Sequence, residues 1–246
     1  SAASDVYKRQ GVQSMMFNVW NLVLVIFGVY AAFSLFQSNT GKGKVISAVV
    51  LVGVAGVLYL MYQNTPAETA VSAPIFQQFN PFFVVALTPV SLAFFGMLAK
   101  RNAEPSAPKK IGLGMLIAAI GFLVIAAGSN GLLTPNAQAA GIAAGEDVTR
   151  VSANWLVSTY LVLTFAELFL SPMGISFVSK VAPPKMKGMM MGGWFVATAI
   201  GNMLTVVPAM IWGDQNLIIV WGLLIGLCLV SAVFIFAILK KLEKVC

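Results

Sequence analysis

The sequence predicts an all-α fold, a polytopic membrane bundle of about seven transmembrane helices, on three observations. Of 246 residues 59% are apolar, only 9% are charged, and the mean hydropathy is +0.89. A soluble domain carries about 25% charged side chains, and a chain this apolar cannot stay solvated as a coil. The apolar residues gather in seven runs, each near the ~20 residues that a helix needs to cross a bilayer. Finally, the basic residues fall in alternate connections between those runs.

The chain opens on SAASDVYKRQ (Ser1 to Gln10), which has no initiator Met and no apolar core of signal-peptide type. It reads as translated adapter sequence, so residues 1–14 are taken as a non-native or disordered lead and the chain as a fragment. The runs follow from Met15 to Phe36, Val45 to Tyr62, Pro74 to Ala99, Ile111 to Gly128, Asn154 to Ala182, Gly188 to Trp212 and Asn216 to Leu239. None alternates as a strand would, and Gly and Pro occur inside them, as membrane helices tolerate. The longest connection, Ser129 to Ala153, is rich in Ala, Gly and Asn and reads as a surface loop. Ala197 and Gly201 form a small-xxx-small pair of the kind that lets membrane helices approach closely.

Twelve of the 15 basic residues lie on one side of this zigzag: Lys42 and Lys44, Lys100 to Lys110, Lys180 to Lys187, and Lys240 to Lys244. Lys8, Arg9 and Arg150 lie on the other. The positive-inside rule puts the first set, and the C-terminus, in the cytoplasm. The net charge of +7 is then an anchoring pattern, with no nucleic-acid partner implied. Cys228 lies inside an apolar run and Cys246 ends the chain, too far apart along one helix for a disulfide.

No histidine is present, which removes imidazole relays and zinc hydrolases of the HExxH kind. Neither an intramembrane metal cluster nor a nucleophile beside a base appears, so the reading is of no enzyme, no catalytic residue and no metal. What stands out is Glu167. Seven of the eight acidic residues lie in connections or termini, whereas Glu167 sits near the middle of its run. A charge there costs at least about 2.5 kcal/mol unless it is protonated, paired or facing water, so it is a functional candidate by default.

Tyr160, Thr164, Glu167, Ser171 and Gly174 follow at helical spacing and share one face, and Pro172 bends the helix near the acid. A second stripe runs through Trp194, Thr198, Gly201, Thr205 and Pro208, although Trp194 also suits an interfacial belt. Asn80, followed by Pro81, is a third polar position within a run. A buried Asn must find partners for its amide, and a bond to a neighbouring helix would serve as well as a ligand. Apart from Lys180, two residues from the end of its run, no Lys or Arg lies within a run, so a zwitterionic ligand would find its carboxylate partner outside this chain.

The stretches FQQFNPFF (Phe76 to Phe83), EPSAPKKIGLGM (Glu104 to Met115), ELFLSPMGIS (Glu167 to Ser176) and MMMGGWFVATAIGN (Met189 to Asn202) resemble, in order and spacing, the proton-dependent oligopeptide transporter family. The resemblance is to its C-terminal half, within the major facilitator superfamily, and covers Pro74 to Lys241. It implies five helices of a C-terminal bundle over 74–246 and an extra transmembrane pair over 15–62. It implies that Glu167 engages a peptide's amino terminus with help from Asn80, that Trp194 and Phe195 line a side-chain pocket, and that Ser171 and Thr198 face the cavity; Tyr160 joins the expected site by its helical spacing from Glu167. The implied partners are di- and tripeptides, protons as the coupling ion with no other cofactor, the lipid bilayer, and a missing N-terminal six-helix bundle. The location implied is the cytoplasmic (inner) membrane.

Three features depart from the family pattern. Its proton-coupling glutamates and arginine belong to a first helix that is absent here, the opening helix of the C-terminal bundle is not recognisable, and Thr198 replaces a serine. Other readings are a transporter of another small substrate, such as an amino-acid conjugate, a drug or an anion, and a non-transporting scaffold.

Overall fold

The computed structural model describes residues 5–8, 15–65, 68–71, 73–146, 148 and 152–244. Most of the lead over 1–14, together with Arg150 and Cys246, lies outside the described residues. The helices are α1 (Val19–Gln37), α2 (Gly41–Gln63), α3 (Phe79–Lys100), α4 (Ala107–Gly128), α5 (Pro135–Ala143), α6 (Ala153–Val181), α7 (Lys187–Leu204), α8 (Val206–Ile211) and α9 (Leu217–Glu243). Two short strands, β1 (Asp5–Lys8) and β2 (Glu68–Val71), pair antiparallel with Asp5 opposite Val71 and lie outside the apolar runs.

Among the described residues seven helical segments are long and apolar enough to cross a membrane, so the chain is an all-α, multi-pass membrane protein. Their ends differ from the apolar runs for local reasons. Side-chain oxygens of Asn18, Thr40, Ser152 and Asn216 accept from backbone N–H groups in the first turns of α1, α2, α6 and α9, and so fix where those helices begin. The third run opens with a six-residue 3-10 turn, Ala73–Gln78, before α3.

The sixth run is broken into α7 and α8 at Thr205. Pro208 has no N–H for the carbonyl of Leu204, and its ring crowds that carbonyl. The connection Ser129 to Ala153, expected as a surface loop, contains α5. Thr134 caps it with its Oγ1 3.4 Å from the Ala137 nitrogen, Pro135 occupies the first turn, and the alanines that follow are strong helix formers.

The chain divides into two compact units, 1–102 and 103–246. In the first, α1 packs on both α2 and α3, so the helical pair of residues 15–62 shares its unit with the third span. Phe17, Phe76, Phe79 and Phe83 form an aromatic cluster around the fully buried Phe79, with neighbouring ring centroids 5.3 to 6.4 Å apart. Pro89 lies inside α3 and leaves the Val85 carbonyl without its helical donor; the Tyr30 hydroxyl of α1 donates to that oxygen at 3.2 Å.

In the second unit α4 is the central helix, packed against α6 and α9. Its glycines allow the approach. A Cβ added at Gly114 would stand 3.0 Å from the Ala166 carbonyl oxygen, at Gly121 2.9 Å from Leu163, and at Gly128 2.7 Å from the Trp155 ring. These three recur every two turns on one face, while Gly112 meets the Phe236 ring of α9. The expected pair Ala197 and Gly201 makes no such contact: both are exposed, and space around Gly201 is open.

Both ends of this unit are tied. At one, Asn136 of α5 donates through Nδ2 to Asp214 at 2.7 Å and through its backbone to Gly213. There Trp221 Nε1 also donates to Ser129 Oγ at 3.0 Å. At the other, Ser106 Oγ donates to Glu243 Oε1 at 2.6 Å and Lys109 lies 3.3 Å from the same oxygen.

Tyr30→Phe should lower the stability of the first unit by about 0.6 kcal/mol, the average for interhelical bonds in membranes, and by no more than about 1.7 kcal/mol. Thermal unfolding in detergent measures it. With Pro89→Ala also present the Val85 carbonyl regains a helical donor, and the same Tyr30→Phe change should then cost little.

Candidate functional site

α6 positions the acid. Glu167 is its fifteenth residue of 29, about 21 Å from either end at 1.5 Å per residue, and it is exposed. The helix runs unbroken through Pro172. One side of α6 is consumed by α4, since Trp155, Val162, Leu163, Ala166 and Leu170 stand against its glycines. Glu167 and Ser171 lie outside that arc, and both are exposed.

The expected polar face divides. Tyr160 is half-buried, whereas Thr164 and Gly174 are buried. Thr164 has no exposed surface, and among the described residues its Oγ1 has no hydrogen-bond partner. Gly174 serves packing, because a Cβ there would run into the six-membered ring of Trp194. This contact joins the two stripes: Trp194 of α7 rests on α6 one turn beyond Ser171. The half-buried state of Trp194 reflects that docking on a neighbouring helix.

Thr198, one turn along α7 from Trp194, is exposed and donates its hydroxyl to the Trp194 carbonyl at 3.0 Å, leaving oxygen lone pairs free to accept. Phe195 is 58% exposed and lies about 100° around α7 from its neighbour Trp194. No residue of α7 is buried. Asn80 belongs to the first unit, where it is half-buried in the first turn of α3 and follows the buried Phe79.

The run boundaries leave every lysine but Lys180 outside the spans, and the helices take in more of them. α4 begins four residues before its apolar run and takes in Lys109 and Lys110, and α6 and α9 carry Lys180, Lys240 and Lys241 in their last turns. Lys110 is only 4% exposed and forms an ion pair with Glu104. Sequence reasoning missed it because its pairing with an acid six residues earlier depends on the turn between them. Among the described residues no group of three or more His, Cys, Asp or Glu is placed to hold a metal.

The comparisons with known proteins agree with this architecture. The profile of the POT family matches residues 44–217, which takes in α2 and leaves α1 outside. Dipeptide and tripeptide permease B of Salmonella typhimurium is 28% identical over 210 residues, covering 75% of this chain and 39% of the relative. Peptide transporter YePEPT of Yersinia enterocolitica subsp. palearctica is 36% identical over 128 residues, covering 52% of this chain and 23% of the relative. The chain thus spans about two fifths or less of the curated relatives it matches.

Among solved structures, a peptide transporter POT in complex with sulfate superposes with a TM-score of 0.60 at 22% identity, over 96% of this chain and 42% of that one. A POT family transporter in complex with a thioalcohol-conjugated peptide does so with a TM-score of 0.53 at 21% identity, over 92% and 48%. At these identities the likeness is one of fold.

Two outcomes follow from the packing. In a background that keeps Trp194 as the sole tryptophan, Gly174→Ala should displace the ring and raise its quenching by acrylamide; unchanged quenching would show that the ring does not rest on Gly174. Thr164→Val should leave stability unchanged or raise it by up to about 1 kcal/mol in thermal unfolding, since the hydroxyl it removes is buried without a partner.

Proposed function

Because the chain belongs to the POT family, we propose that it is the C-terminal part of a proton-coupled importer of di- and tripeptides in the cytoplasmic membrane. The observation that carries the proposal is an exposed carboxylate, Glu167, half way along a membrane-spanning helix. Relatives named as dipeptide and tripeptide permeases support the substrate class. Placement as a C-terminal half rests on the share of the relatives that is matched and on the Glu167 to Ser176 and Met189 to Asn202 stretches. The lysine-rich connections favour a cytoplasmic C-terminus under the positive-inside rule, and in this reading the partner in the work is an N-terminal six-helix bundle of the same protein.

In the mechanism proposed, ionised Glu167 captures the ammonium group of the peptide through a charge-assisted hydrogen bond. Ser171, Thr198 and Tyr160 offer hydroxyl groups along the wall. Trp194, fixed on Gly174, and Phe195 face the peptide side chains. Protonation of Glu167 removes the charge that holds the ammonium, so peptide leaves on the side where the acid becomes neutral. No covalent step is involved, and the protein acts as no enzyme. The peptide carboxylate is held by a cation outside this chain.

Proteoliposome uptake of a labelled dipeptide under an imposed proton gradient tests the proposal. Glu167→Gln in the intact protein should reduce accumulation to background, and normal accumulation by that variant would remove Glu167 from the mechanism. A dipeptide acetylated at its amino terminus should compete at least about tenfold more weakly than the free peptide, the loss expected for one charged hydrogen bond. Equal competition would mean that the ammonium is not what the site reads.

A further inference from the structure

The lysine-bearing end of the second unit holds a cavity that peptide transport does not use. It has a volume of about 400 Å3 and lies between the first turn of α4 and the last turns of α6, lined in part by Glu104, Ser106, Lys110, Met173, Phe177 and Lys180. Its charges do not balance. Lys110 is buried and spent on Glu104, and Lys109 and the Ser106 hydroxyl are spent on Glu243. Lys180 is exposed and, among the described residues, makes no ion pair.

The rim of the cavity therefore carries one uncompensated cation. The N-terminus of the 22-residue α4 adds its partial positive charge to the same rim. The interior is different in kind: Met173 and Phe177 give it an apolar floor, and it sits where the apolar runs of α4 and α6 end. An anion with an apolar body attached satisfies both parts, whereas a bare anion would leave the floor unmatched. Basic pockets between membrane helices recognise lipid headgroups in this way.

We propose that this cavity binds the phosphate headgroup of an anionic phospholipid. Lys180 and the first turn of α4 meet the phosphate, the glycerol and upper acyl segments lie on Met173 and Phe177, and the Lys110–Glu104 pair holds the wall in shape without contributing net charge. The site lies at the lysine-bearing end of the unit, away from the acid at the middle of α6.

Native mass spectrometry of the intact protein, stripped of lipid in detergent and titrated with phosphatidylglycerol or phosphatidylcholine, tests this. Phosphatidylglycerol should be retained at lower concentration than phosphatidylcholine. Lys180→Gln should weaken its retention about fivefold, the effect of one cation near an anionic surface, and Lys180→Arg should restore it. Lys187→Gln removes a charge outside the cavity and should leave retention unchanged. Equal retention of the two lipids, or an equal loss in Lys187→Gln, would overturn the site as diffuse attraction. Displacement of phosphatidylglycerol by inorganic phosphate at matching concentration would overturn the lipid as its occupant.

Discussion

A charge in hydrocarbon must be paired, neutralised or given access to water, and the second unit meets that constraint differently at its end and at its middle. At the end, Lys110 is buried against Glu104, and Glu243 gathers Ser106 and Lys109 so that the last turn of α9 is held to the first turn of α4. Those ionic contacts tie helices together. Glu167, at the middle of α6, is exposed on a side that α4 does not cover. The same helix thus spends one side on packing and keeps another for a group that packing alone could not justify.

Packing on the first side depends on the absence of side chains. Gly114, Gly121 and Gly128 form a groove two turns in period along α4, and α6 lies in it closely enough that even one methyl group would collide with Leu163 or Trp155. Gly112 performs the same service for Phe236 of α9. Dispersion between surfaces in this contact is the main attraction available where lipid tails are as apolar as leucine. With both ends of the unit tied by hydrogen bonds, α4, α6 and α9 form a firm set. α7 is outside it, with no buried residue and a break at Thr205.

The membrane class, the seven spans and the midspan acid were legible in the sequence because each rests on composition, run length or position along a helix, which are one-dimensional quantities. What escaped has a three-dimensional cause. The break at Thr205 was foreshadowed by Pro208 but hidden by the unbroken apolar character of the run. Helix α5 was hidden because its capping Thr134 and Pro135 introduce only nine residues, too few to show a period. Helical spacing aligns the polar positions of α6 on one stripe, yet spacing does not reveal which members a neighbouring helix covers, so Thr164 and Gly174 are buried while Glu167 and Ser171 are exposed. Small residues were expected to matter at Ala197 and Gly201, and the glycines that do so lie on α4, since a small-residue pattern marks a possible approach without naming the partner.

The Trp194 ring on Gly174 has a consequence for the acid. Gly174 lies seven residues from Glu167, about two turns or ~10.5 Å along α6. It falls on the same stripe, displaced from the α4-facing side. A tryptophan seated on a glycine is fixed in register along the helix, because the next positions on that stripe carry side chains that would lift the ring. α7 therefore stands in a defined register against the face that bears Glu167, although little else holds it. Sliding α7 by one turn would carry Trp194 from Gly174 onto Ser171, whose side chain would lift the ring.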